Sequence, residues 1–218
     1  MTEEIGKLDT DPPGSRYESI KWYANNLPPT MTYAGIGSRP KPGKPIPPAV
    51  IAFAKALASS LEQQGYTLRS GAAAGMDEAF ESGVQGSAKE IYLPWPKFHK
   101  HPSPLYLGAE HDRMWHPLWH LAKDHHPAWH NVTPKAALLL MRNGFQVLGW
   151  DLDKPIDFCL CWTHDGRDSG GTGQAIRICR KRMIPVFNLG CATDLHWLTL
   201  VHPWSKPLVE QFIACSQS

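Results

Sequence analysis

The run Ser169-Gly170-Gly171-Thr172-Gly173 places three glycines in four positions between an apolar stretch and an amphipathic one. Glycine has no Cβ and tolerates positive φ, so this backbone can pass close to a ligand. A helix predicted from about Gln174 would aim unpaired N–H groups and the positive end of its dipole at the same spot. The natural occupant is an anion, most often a phosphate. A second small-residue turn runs from Ser70 and Gly71 to Gly75 and ends on Asp77 and Glu78. A carboxylate there either bonds the N–H groups of its own helix start or holds hydroxyls and acts as a general base. A third turn, Gly35-Ile36-Gly37-Ser38-Arg39, offers a hydroxyl from Ser38 and a bidentate cation from Arg39. Arg142 is either a helix C-terminal cation or a partner for phosphate or transition-state charge.

Each turn needs an element on both sides of it. Residues 31–34 read as a strand entering the first turn, and residues 66–69 as a strand entering the second. Residues 89–93 form a third strand, stopped by Pro94-Trp95-Pro96. Residues 158–162 and 185–189 are continuous apolar runs, as strands covered on both faces should be. Between them, residues 48–64 carry Val50, Phe53, Ala54, Leu57 and Leu61 at helical spacing, and Gly65 ends that helix. Thr133 caps a helix with Pro134 at its first position, and Arg142-Asn143-Gly144 closes it. A short helix over residues 194–201 precedes an irregular end. Strands alternating with helices predict an α/β, Rossmann-like, doubly wound and mostly parallel sheet with helices on both faces. Its small-residue turns then share one crevice at the carboxyl ends of the strands. The first turn lacks the G-x-G-x-x-G fingerprint, which excludes a dinucleotide reading there. No cofactor is expected.

Hydrophobic residues make up 42 % of the 218-residue chain and charged residues 19 %, so it can bury a core. A formal charge of +2 argues against coating nucleic acid by bulk charge. Arg177, Arg180, Lys181 and Arg182 nevertheless form a local basic patch, either a solvated face or a phosphate or nucleic-acid contact. The five cysteines contain no Cys-x-x-Cys pair and read as reduced thiols, buried in the case of Cys159 and Cys161. Residues 97–131 hold eight of the eleven histidines together with Trp115, Trp119 and Trp129. His116 and His120 are four apart, but no HExxH pattern accompanies them, and no metal site is assigned. This stretch is expected to be an insertion that packs over the crevice or onto another subunit. Residues 1–30 read as an extension, with a short amphipathic helix over 15–26, to a single domain over 31–218. No basic-then-apolar leader and no long apolar run is present, so a cytoplasmic protein with no membrane partner is expected.

GIGSR at residues 35–39, RSGAAAGMDEAFESG at 69–83 and CWTHDGRDSGGTGQAIR at 161–177 occur in an order that resembles the DprA/LOG-type Rossmann-like (SLOG) superfamily. The set is most similar to the compact DprA-like proteins of bacteriophages. LOG enzymes hydrolyse the N-glycosidic bond of a nucleoside monophosphate. The resemblance therefore implies a nucleotide or nucleotide-derived small molecule as partner. Gly35, Gly37, Ser38, Arg39, Ser70, Gly71, Gly75, Thr163, Gly170, Gly171, Thr172, Gly173 and Gln174 would lie around it. Asp77, Glu78 and Arg142 are the implied catalytic residues, and the base would stack on an aromatic such as Trp95. Two departures stand out. The loop reads GGTG rather than GGxGT, and Arg177 occupies the position of the LOG glutamate. A DprA-like single-stranded DNA-binding module and a non-catalytic nucleotide sensor are the alternatives, and homo-oligomerisation is implied in each case.

Overall fold

The computed structural model describes residues 31–108 and 113–216. The expected extension over 1–30, its helix and His111 lie outside the described residues. Five parallel strands form one sheet in the order β3-β2-β1-β4-β5. They are β1 (Thr32–Gly37), β2 (Thr67–Ser70), β3 (Lys89–Ile91), β4 (Phe158–Trp162) and β5 (Val186–Asn188). The helices are α1 (Pro48–Gln63), α2 (Met76–Gly83), α3 (Trp115–Asp124), α4 (Pro134–Leu148), α5 (Gly170–Lys181), α6 (Ala192–Val201) and α7 (Lys206–Ser216). This is the doubly wound α/β, Rossmann-like architecture.

Side-chain alternation along β1 divides the core. Tyr33 faces a layer with Leu57, Leu61, Phe80 and Phe158, while Ala34 and Ile36 face one with Val147, Ile176 and Ile178. Every residue of β4 is buried, as a central strand between two helical layers requires. Tyr33 sits in register between Leu68 of β2 and Phe158 of β4, which puts the ends of all three strands at one rim. Cys159, Cys161 and Cys179 are buried within the second layer, Cys215 is exposed, and no two of the five cysteines are joined.

Three element boundaries differ from the sequence reading. The helix begun at Pro134 does not close at Arg142-Asn143-Gly144 but runs to Leu148 and ends at Gly149, whose φ is +76°. Gly144 is a packing residue: a Cβ there would lie 2.6 Å from Leu118 Cδ2 of α3. The irregular end contains α7, whose Phe212 stacks on Phe53 of α1 with centroids 4.4 Å apart. The glycine-rich run is not a loop before α5 but its first turn, since the helix starts at Gly170. The segment expected to be an insertion holds α3, which packs on α4 through Leu118, Ala122, Met141 and Phe145.

Candidate functional site

β1 ends in Gly37 because nothing larger fits. A Cβ there would stand 2.6 Å from Met76 Cβ and 2.7 Å from the Trp162 carbonyl. Ser38 N–H donates to Trp162 O at 2.9 Å, so the chain turns away from the sheet beside β4. α2 then brings Asp77 beneath this turn. Asp77 Oδ1 accepts from Gly37 N–H at 3.2 Å, and Oδ2 accepts from Arg142 Nη1 at 3.2 Å. Asp77 is 3 % exposed and Arg142 5 %, so this is a buried ion pair. Burial pushes the Asp77 carboxyl above its usual range; the Arg142 guanidinium and the Gly37 and Ala73 amides pull against it. Burial likewise lowers the Arg142 guanidinium, with Asp77 opposing; an arginine nonetheless stays charged in a protein.

Arg142 reaches Asp77 over a bare backbone. A Cβ on Gly71 would lie 1.6 Å from Arg142 Nη1, so only glycine leaves room for the guanidinium. The next residue, Ala72, has φ +53°, a left-handed value seldom taken by a residue with a side chain. On the far wall, Asn143 Nδ2 donates to Gly171 O at 3.2 Å and to Gln174 Oε1 at 2.9 Å, fixing the first turn of α5 against α4. Gly173 N–H donates to Ser169 O at 2.9 Å. The three N–H groups before it have no intrahelical acceptor, by the geometry of any helix start.

These pieces enclose a cavity of about 540 Å³, within the size range of small-ligand sites. Gly37, Ser38 and Arg39 line one side, Gly170, Gly171 and Thr172 the other, and Asp77 and Arg142 lie between them. Four unpartnered atoms belong to this region. Arg142 Nε, both amide atoms of Gln146 and Gln174 Nε2 are buried with no hydrogen-bond partner among the described residues. Natural folds keep few such atoms, and each calls for a ligand or a water.

The remaining sequence-predicted residues take other positions. Glu78 is exposed and caps its own helix, with Oε2 accepting from Gly75 N–H at 3.2 Å, so of the two neighbouring carboxylates only Asp77 faces the cavity. Ser70 is fully buried and donates to Gly35 O at 2.7 Å. Gly35 packs under Phe80, and Gly75 turns with φ +100° against Ile46 and Pro40. Thr163 is held by Asn188 and the Arg167 carbonyl. Gly173 is a close-packing position, since a Cβ would lie 2.3 Å from Asp168 O. Gln174 is buried behind Asn143.

The basic patch lies further along α5, away from the cavity. Arg177 donates to the carbonyls of His125 and Asp168, and Arg180 pairs with both carboxylate oxygens of Asp168. Lys181 and Arg182 are exposed. Trp95 does not line the cavity; it meets Phe98 edge-on, with Lys135 Nζ 5.3 Å from its ring centre. Among the described residues, the aromatic ring that does line it is His99, in a segment where Lys97, His99 and Lys100 all have positive φ.

Sequence reasoning missed Asn143, Gln146 and His99. For the first two a signal existed. Leu139, Arg142, Asn143 and Gln146 fall on one helical face, which is visible once α4 is extended past Gly144. His99 carried no signal beyond its place in a histidine-rich stretch. Among the described residues, no three histidines, cysteines, aspartates or glutamates converge to hold a metal, and no helix is long and apolar enough to cross a membrane. Compared with known proteins, the chain matches no family, no curated protein and no solved structure.

Proposed function

We propose that the protein binds a nucleotide or nucleotide-derived small molecule and acts at its N-glycosidic carbon, in the manner of the DprA/LOG-type proteins it resembles. One observation carries the reading. The first turn of α5 and the buried Asp77–Arg142 pair open onto the same cavity, beside polar atoms that lack partners. The phosphate would lie on the N–H groups of Gly170–Thr172, with Ser38 and Arg39 opposite. Asp77 would then flank the sugar. In a hydrolysis, a water oxygen bonds to the anomeric carbon as its bond to the base nitrogen breaks. Asp77 accepts the proton of that water, and the base leaves with a proton from solvent. Arg142 balances the carboxylate and the phosphate charge.

The test is calorimetric binding of a panel of nucleoside 5′-phosphates, paired with chromatographic detection of free base. Binding with base release, lost in Asp77→Asn while binding persists, is the expected outcome. Failure of every nucleotide to bind at millimolar concentration would refute the reading. Arg177, at the position of the LOG glutamate, favours a second reading, a non-catalytic sensor with 1:1 binding and no product. The single-stranded DNA reading has less support, because Arg177 and Arg180 are committed to protein carbonyls and to Asp168. It predicts affinity that falls steeply with salt.

A further inference from the structure

Lys97, His99 and Lys100 have φ of +57°, +51° and +62°. Left-handed backbone is unfavourable for any residue with a side chain. Three such residues in four positions persist only where their surroundings hold them, and strain of this kind collects at functional sites. The holding contacts lie on both sides. Phe98 is buried and meets Trp95 edge-on, with ring centres 5.0 Å apart. His101 Nε2 lies 2.9 Å from Glu81 Oε1 of α2, and Ser103 Oγ donates to the Ile91 carbonyl at 2.6 Å.

What the strained turn achieves is the placement of one ring. His99 is exposed and lines the cavity. Its ring centre stands 4.1 Å from that of Phe98, with 33° between the planes, so Phe98 backs one of its faces. Trp95, Phe98 and His99 form an aromatic column that starts in the core and stops at the cavity. His101 and His164 are hydrogen-bonded to Glu81 and to the Arg39 carbonyl. Among the described residues, nothing bonds the His99 imidazole in that way.

Two different sides of α4 meet this column and the anion site. Lys135 Nζ stands 5.3 Å from the Trp95 ring centre, and Leu139, one turn on, packs against the layer that contains Phe98. Asn143 instead bonds the Gly171 carbonyl of α5, with Leu140 beside it. Arg142 follows Leu139 by three residues, on the side of the column, and holds Asp77. A ligand with its phosphate on α5 and its sugar beside Asp77 is left with the His99 wall for its base.

Resting on the nucleotide reading above, we propose that the open face of His99 is the platform on which the base stacks. The group recognised is a planar heteroaromatic ring, taken by its π-face rather than by its hydrogen-bonding edge, and every base has such a face.

The experiment is calorimetric titration of the full chain with ribose 5-phosphate and with adenosine, guanosine, cytidine and uridine 5′-monophosphates. The wild type should bind the nucleotides more tightly than ribose 5-phosphate. His99→Ala should weaken the nucleotides by about 5- to 150-fold, the scale of one base stacked on an aromatic side chain, and leave ribose 5-phosphate within about twofold. His99→Phe keeps a flat ring without nitrogens and should hold nucleotide affinity within about threefold of wild type. If His99→Ala does not fold, His99→Gly, which suits the left-handed backbone, takes its place. Nucleotide affinity that survives loss of the ring overturns the assignment. So does His99→Phe binding as weakly as His99→Ala, which gives the role to the ring nitrogens. An equal loss of ribose 5-phosphate affinity overturns it too and puts His99 on the phosphate. In each of these cases the nucleotide site itself stands. Only failure of every compound, ribose 5-phosphate included, takes that site down with it.

Discussion

Replacing Arg142 with methionine keeps most of the side-chain volume but strips Asp77, 3 % exposed, of its countercharge. The stranded carboxylate can escape by taking a proton. Holding a carboxyl of ordinary pKa ~3.9 neutral at pH 7 costs about 4 kcal/mol, at 1.36 kcal/mol per unit, and about 1 kcal/mol near pH 4.5. The first figure falls within the ~3–5 kcal/mol expected for breaking a buried pair. The sign follows from the raised folded-state pKa of Asp77. The folded variant holds a proton that the unfolded chain releases, so its stability is full below the unfolded pKa and is lost as pH rises through the folded one. Asp77→Asn behaves differently, because Arg142 has no neutral form to retreat to; its loss of about 3 kcal/mol at pH 7 should not shrink at pH 4.5, where the raised Asp77 pKa adds to the stability of the wild type alone. The double variant should lose less than the two single losses added together. Urea unfolding followed by tryptophan fluorescence at about pH 7 and about pH 4.5 measures all four proteins, each compared with wild type at the same pH. An Arg142→Met penalty equal at the two pH values, or below about 1 kcal/mol at pH 7, would refute the buried-pair argument.

Gly71→Ala puts a Cβ 1.6 Å from Arg142 Nη1 and must push the guanidinium off Asp77. A stability loss of about 3 kcal/mol and at least a tenfold loss of nucleotide affinity are expected, by urea unfolding and calorimetry. Gly173→Ala meets the Asp168 backbone oxygen at 2.3 Å, which no side-chain rotation relieves. Urea unfolding should report about 1–3 kcal/mol of destabilisation and calorimetry weakened phosphate binding, and an unchanged unfolding curve would contradict the packing described for this turn. His202 packs between Phe158 and Trp204, and burial lowers its pKa from the usual 6.5 to about 4. The unfolded chain therefore takes up a proton there first. Stability that is complete above pH 6.5 should be lost as pH falls toward 4, by up to about 3 kcal/mol. His202→Gln should flatten that slope in unfolding curves across the window, and identical slopes would count against it.

The strands and the glycines at their ends could be read from the chain because both are local properties. A run such as Phe158–Trp162, apolar at every position and too short for a buried helix, reads as a strand covered twice, and five strands alternating with helices leave few topologies. Helix ends were less legible. Arg142-Asn143-Gly144 has the composition of a helix stop, yet α4 continues because Gly144 is used to let Leu118 and Leu121 of the neighbouring segment approach. α7 was hidden by Pro203 and Pro207; the latter sits in its first turn, where the missing N–H costs nothing. Sequence alone determined that small residues, a carboxylate and an arginine would gather at one rim of a parallel sheet. Tertiary structure decided which of Asp77 and Glu78 turns inward. It also paired Asp77 with an arginine 65 residues away and left the buried amide of Gln146 without a partner among the described residues. Periodicity tells which face of an element is covered; only the packing of distant elements fixes what each buried polar atom meets there, and whether it meets anything.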